Sequence, residues 1–166
     1  MPIDRTGRPP PAIQPCLWFS TEAEAAVDFY VSVFPRSRVL ERTHYAGDGH
    51  LPAGTVLTLD FELAGQPFTA LNGGVAMAHT PALSLRVTVA DQAEADAVFD
   101  RLSAFPEQEQ CGWLVDRHGV SWQVVPQGLL PLLKQGTAVQ RQRLAAAVMG
   151  MRRLHLPTLQ QAFGTA

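Results

Sequence analysis

The chain reads as an α+β protein: a strand–helix–three-strand order that occurs twice, followed by a helical tail. Three observations predict this class. First, apolar and polar residues alternate with period two in several short stretches. Over 55–63, Leu57, Leu59, Phe61 and Leu63 share one face while Thr58, Asp60 and Glu62 share the other. Second, two segments behind Thr21 and Asp91 carry apolar residues at helical spacing after a side chain able to cap a helix. Third, the alternation stops after Pro126, and leucines then recur at helical intervals.

Each element follows from local chemistry. Pro9, Pro10 and Pro11 forbid a helix in residues 1–11, which read as a flexible lead-in. A short apolar stretch over 13–19 is the first strand. Thr21 caps the first helix, with Glu22 and Glu24 in its first turn, where the helix dipole favours anions. Its stripe is Ala23, Ala26, Val27, Tyr30 and Val31, and Pro35 ends it. Strands follow at 36–45, 55–63 and 66–72, with a loop around Gly47, Gly49 and Pro52 and a hairpin turn at Ala64-Gly65. The order then repeats. Leu83, Leu85, Val87 and Val89 alternate with Ser84, Arg86 and Thr88, and a helix capped by Asp91 has the stripe Ala93, Ala97, Val98 and Leu102. Strands are predicted at about 107–110, 112–116 and 120–125, with a tight turn at Arg117-His118-Gly119. Helices at 128–135 and 139–151, and a turn or two at 158–163, complete the tail, which caps the modules or grips a second subunit. The expected division is a lead-in over 1–11, a domain over 12–126 built of modules at about 12–74 and 81–126, and a tail over 127–166.

Composition narrows the function classes. The 166 residues carry a formal charge of −2, and twelve of the thirteen basic residues are scattered arginines. No basic field exists to attract nucleic acid or an anionic membrane. No apolar run approaches the ~20 residues that a membrane span needs, and the opening MPIDRTGRPPP lacks an apolar signal core. Two cysteines make no disulfide framework. A soluble, cytoplasmic protein is expected.

The strands must bury their apolar face under the helices, so the opposite face turns toward whatever the sheet encloses. That face carries Gln14 and Cys16, Thr58 and Asp60, Ser84 and Arg86, and Ser121 and Gln123. It either lines a ligand cavity or is simply solvated. Small, neutral side chains favour the cavity, since a solvated face would hold more charge.

QPCLWF at 14–19, DFYVSVFP at 28–35, QPFTALNGG at 66–74 and CGWLVDRHGVSWQVVP at 111–126 resemble the PhnB-like family, also labelled demethylubiquinone methyltransferase-like. That family belongs to the glyoxalase/bleomycin-resistance/dioxygenase, or vicinal-oxygen-chelate, superfamily. The resemblance runs from about residue 12 to the C-terminal helices. It implies paired βαβββ modules forming cupped mixed sheets, and a homodimer. It further implies a divalent metal held by one His- or Glu-type ligand from each of four strands. Those positions fall near Gln14, Asn72, Ser84 and Gln123, and none is His, Asp or Glu. Neutral amides and a hydroxyl are weak ligands for a first-row metal, so neither a metal nor another cofactor is expected.

The remaining candidates each have two readings. The five histidines lie at strand ends, in turns or beside prolines, as surface residues; His44 with Asp60 or Glu62 is the one residual metal site. Cys16 and Cys111 are either small core residues or, for Cys16, a pocket thiol whose pKa an Arg such as Arg86 could lower. Trp18 shares the parity of Gln14 and Cys16, while Trp122 falls on the helix side. Asn72-Gly73-Gly74 opens no helix, unlike the glycine loops that bind dinucleotides or S-adenosylmethionine. The reading reached is a small-molecule-binding protein whose ligand lies in a polar cup lined by Gln14, Cys16, Trp18, Asp60, Asn72, Ser84, Arg86, Ser121 and Gln123. The alternatives are a metal-dependent or thiol-assisted enzyme of the same superfamily (a lyase, isomerase or dioxygenase) and a methyltransferase, as the family label suggests. Whether any reaction is catalysed is left open by the sequence.

Overall fold

The computed structural model describes residues 13–47 and 49–164; the lead-in expected over 1–11 lies outside them. The chain divides into two compact units, Met1–Met77 and Ala78–Ala166.

In the first unit, β1 (Cys16–Phe19), α1 (Ala23–Val33), β2 (Arg38–His44), β3 (Val56–Leu63) and β4 (Gln66–Asn72) follow the strand–helix–three-strand order. The sheet runs β1-β4-β3-β2, with β1 parallel to β4 and the other pairs antiparallel. α1 packs on β2, β3 and β4. Leu17, Phe19, Leu59, Phe61, Leu63, Phe68 and Ala70 are buried, together with Ala23, Ala26, Val27 and Tyr30 of the helix. Phe61 and Phe68 pair across β3 and β4, and their rings stack with centroids 5.5 Å apart. Ala64 (φ 49°) and Gly65 (φ 85°) are both left-handed, the conformation of the type I′ turn whose twist suits a two-residue hairpin.

Thr21 does not cap α1. The cap position is Glu22, with no side-chain cap bond, and the free backbone N–H of Ala23 instead donates to Asn72 Oδ1 at 2.9 Å. Four N–H groups at a helix start lack intrahelical partners, and one of them is satisfied here by a residue at the end of β4. The strand expected at 36–45 is shorter, and a register shift between Val39 and Glu41 leaves Leu40 as an extra residue.

In the second unit, β5 (Leu85–Val89) and α2 (Gln92–Leu102) are followed by a 3-10 turn (Pro106–Gln108), β6 (Trp113–Val115) and β7 (Ser121–Pro126). The sheet order is β5-β7-β6, with β5 parallel and β6 antiparallel to β7. Asp91 caps α2 as expected, accepting from Glu94 N at 2.9 Å, while Glu94 returns a carboxylate oxygen to Ala90 N.

Two expectations fail in this unit. No strand forms at 107–110: Pro106 opens the 3-10 turn, and Cys111 (φ 54°) and Gly112 (φ 84°) then reverse the chain, leaving one isolated bridge between Gln110 and Trp113. The second module is therefore βαββ among the described residues. The buried stripe of α2 is Ala95, Val98, Phe99 and Leu102, with Ala93 and Ala97 exposed. Burying the Phe99 ring removes far more apolar surface from water than burying two methyl groups.

The tail forms α3 (Leu129–Gln135), α4 (Ala138–Met149) and α5 (Leu156–Gly164). Leu129, Leu144, Leu154 and Leu159 make a small core, with Val125, Leu132, Val148, Met151, Leu156 and Phe163 packed on it. At roughly 1.5–3 kcal/mol per buried leucine, that core holds three helices too short to persist alone. Backbone bonds from Cys111 N to Met151 O (2.7 Å) and from Gly112 N to Arg152 O (2.8 Å) tie the segment after α4 to the turn before β6. Gln92 clamps the same segment, donating to Leu154 O at 3.2 Å and accepting from Leu156 N at 2.8 Å. Arg153 bonds Asp100 and lies over the Phe99 ring. The tail packs on its own chain. Among the described residues, no helix is long and apolar enough to cross a membrane.

Candidate functional site

Strand register lays out the polar face of the first sheet. Cys16 pairs with Thr69, Thr69 with Asp60, and Asp60 with Glu41, so one row crosses all four strands. On one side the Arg38–Glu62 pair closes an ion pair at 3.0 Å. On the other side Trp18, Leu71, Thr58 and Thr43 form the next row, and the two threonine hydroxyls lie 2.6 Å apart.

The central row carries a hydrogen-bonded chain. Gln14 Nε2 donates to Thr69 Oγ1 at 2.7 Å, and Thr69 Oγ1 donates to Asp60 Oδ1 at 2.6 Å. Gln14, Thr69 and Asp60 are half-buried and Cys16 is exposed. Partial desolvation of its sulfur against the sheet, and after it the Asp60 carboxylate, push the Cys16 thiol up. Both causes disfavour the thiolate, the reverse of the activated thiol weighed from sequence.

Trp18 lies half-buried at the margin. Its indole N–H donates to Val75 O at 2.8 Å, and its ring occupies the space above Gly73. A Cβ on Gly73 would stand 1.9 Å from Trp18 Cζ2. The glycine pair thus admits an aromatic ring and opens no helix, so it does not fit an S-adenosylmethionine loop.

Asn72 departs from the cup-lining expectation. It is 1% exposed, and both ends of its amide are spent: Oδ1 accepts from Ala23 N at 2.9 Å and Nδ2 donates to Val56 O at 3.0 Å. Its backbone carbonyl also accepts the Tyr45 hydroxyl at 2.6 Å. Ser121 is buried as well. In the second unit Gln123 Nε2 donates to Ser84 Oγ at 2.7 Å, and Arg86, exposed, pairs in register with Gln123. The structure therefore brings together Gln14, Cys16 and Asp60 in one unit and Ser84, Arg86 and Gln123 in the other.

The implied metal positions do not fit a metal. Gln14, Asn72, Ser84 and Gln123 offer only amides and a hydroxyl, and the Asn72 amide is already committed to two backbone groups. His44 pairs with Val56 while Asp60 pairs with Glu41, so the residual His44–Asp60 site does not form. Among the described residues, no three His, Cys, Asp or Glu side chains gather as metal ligands.

Sequence reasoning missed two residues. Thr69 links Gln14 to Asp60, and the alternation Phe68, Ala70 against Thr69, Leu71 would have placed it on the polar face. Asp116, fully buried, accepts from His118 N (2.8 Å), Val120 N (3.1 Å) and Trp122 Nε1 (2.7 Å), fixing the β6–β7 turn. The only signal for it is an Asp two residues ahead of a His-Gly turn.

A family model described as 3-demethylubiquinone-9 3-methyltransferase matches residues 11–125. Among solved structures, the PhnB protein of Bacillus cereus is 34% identical and superposes with a TM-score of 0.60, covering 70% of this chain and 99% of its own. A Pseudomonas aeruginosa protein, 20% identical with a TM-score of 0.50, covers 69% of this chain and 96% of its own and shares the fold. No curated protein matches. α3, α4 and α5 lie beyond the matched segment. A family model that spans the strands of both sheets, with a PhnB protein one-third identical beside it, settles the kinship: the chain belongs to the PhnB-like, 3-demethylubiquinone-9 3-methyltransferase-like family.

Proposed function

We propose that the chain binds a small molecule on the polar face of its first sheet, around Gln14, Cys16, Thr69 and Asp60, with Trp18 at the margin. One observation carries this reading: a hydrogen-bonded chain of three half-buried polar side chains that crosses β4 and β3 and in which, among the described residues, Asp60 Oδ2 and Gln14 Oε1 receive no hydrogen bond. Half-buried polar groups with spare capacity are what orients a ligand in an otherwise apolar setting. Ser84, Arg86 and Gln123 are retained as ligand contacts of the second unit.

Binding without thiol chemistry is favoured over the thiol-assisted alternative, because burial and, after it, Asp60 push the Cys16 thiol up and so disfavour the thiolate. The methyltransferase alternative rests on the family's description, and the donor loop such a reaction needs finds no match in the glycines at 73–74. We take the binder to be a cytoplasmic homodimer.

A thermal-shift and native mass-spectrometry screen of the full chain against a metabolite library, with S-adenosylmethionine included, tests these readings. One or more stoichiometric ligands are expected, with affinity falling at least tenfold in Gln14→Ala. A ligand indifferent to Gln14→Ala would overturn the assigned face. Tight binding of S-adenosylmethionine would favour the methyltransferase. Light scattering checks the dimer.

A further inference from the structure

We propose that the ligand of this face is a protonated amine and that Asp60 is its counter-ion. The inference rests on the reading that the polar face of the first sheet is the binding site.

Donor and acceptor chemistry points this way. A carboxylate only accepts, so the single hydroxyl proton of Thr69 goes to Asp60 Oδ1. Thr69 Oγ1 must then accept from the Gln14 amide nitrogen, which turns Gln14 Oε1 away from Thr69. Two acceptors, Asp60 Oδ2 and Gln14 Oε1, are left over beside the second Gln14 N–H. Cys16 lies beside Thr69 in the same row. Such a surface asks a ligand for N–H or O–H donors.

Charge narrows the class further. Arg38, the cation in the adjacent row, is committed to Glu62 at 3.0 Å. The register neighbour of Asp60 on β2 is another acid, Glu41. No ion pair joins Asp60 to a basic side chain among the described residues. The same chain shows what a satisfied carboxylate looks like: Asp116 receives three N–H donors, whereas Asp60 receives one hydroxyl. An ammonium brings N–H donors and a positive charge together, which matches two acceptors beside an unneutralised carboxylate. A carboxylate or phosphate ligand would meet the like charge of Asp60.

Three probes of one shape and different charge test the class: phenethylammonium, 2-phenylethanol and 3-phenylpropionate, each titrated into the full chain by NMR. In parallel, protection of Cys16 from iodoacetamide, read by peptide mass mapping to separate it from Cys111, reports occupancy of the face. Phenethylammonium is expected to protect Cys16 and to bind at least tenfold more tightly than 2-phenylethanol, with 3-phenylpropionate weaker still. Asp60→Asn keeps an oxygen for Thr69 and is expected to remove the preference of the amine over 2-phenylethanol. Because the probe ranking is read on the unmodified chain, the test stands even if the variant misfolds. If 3-phenylpropionate protects Cys16 as well as the amine does, the ammonium assignment is overturned and the binding face survives. If the three probes leave Cys16 unprotected, the class of any library compound that does protect it decides, an amine supporting the assignment and an acid overturning it. If nothing protects Cys16, the face itself is overturned and the assignment with it.

Discussion

Asn72 is one of the positions where the sequence resemblance implies a metal ligand, yet its amide bridges the start of α1 and the start of β3. Truncating it would strand a buried N–H and a buried C=O, each costing about 1–3 kcal/mol. Asn72→Ala is therefore expected to lower stability by about 2–4 kcal/mol, seen as a lower urea midpoint with an unchanged slope. Asn72→Asp should also destabilise, since it keeps the acceptor for Ala23 N–H but opposes a carboxylate oxygen to Val56 O. Cys16 offers a second residue-scale test. Its thiolate is disfavoured by burial and by Asp60, with Glu41 the next acid in the row. Removing the Asp60 charge lowers the thiol pKa, so more thiolate exists at any given pH. The iodoacetamide rate of Cys16 in Asp60→Asn should consequently rise at lower pH than in the unmodified chain. An unshifted rate profile would sink the electrostatic coupling.

Among the elements, the β3–β4 hairpin carries a local cost. Ala64 adopts φ 49°, a left-handed conformation that an L residue with a simple Cβ disfavours by roughly 1–2 kcal/mol and that Asn visits more readily. Ala64→Asn is expected to stabilise the chain by about 0.5–1 kcal/mol, measured as a higher melting temperature. Its backbone N–H, already bonded to Ser37 Oγ at 3.0 Å, needs no change. α4 gives the opposite case. Thr137 and Gln140 form a reciprocal capping box, so Thr137→Ala should cost about 1 kcal/mol. Both the hairpin and the two side-chain caps were within reach of local reading. Asp91 and Thr137 carry the same signature, an oxygen-bearing side chain followed three residues later by Glu or Gln, but a helix expected to begin at 139 leaves Thr137 outside its cap.

For the whole molecule, the C-terminal helices belong to the second unit's own packing. Their leucines form a closed core, and residues 151–156 are bonded to Cys111, Gly112 and Gln92. A chain ending at Pro126 would lose those partners and uncover Val125. It is expected to melt at lower temperature and to aggregate on size-exclusion chromatography. A truncated chain as soluble and stable as the full one would show that the tail is dispensable to the unit.

Sequence alone determined what depends on near neighbours. Alternation set the buried and polar faces of β3, and the Ala64-Gly65 pair set the hairpin. The cap at Asp91 came from the type of one residue ahead of a helical stripe, and four separated motifs carried the family. Tertiary structure decided how each polar group is spent. Asn72 reaches a helix start 49 residues away, and Gln14 reaches Thr69 across 55. It also decided that 107–110 turns instead of pairing, and that Phe99 displaces two alanines from the core. The physical reason is common to all of these: a hydrogen bond or a packed ring is fixed by what folding brings alongside, and spacing along the chain does not record who that neighbour is.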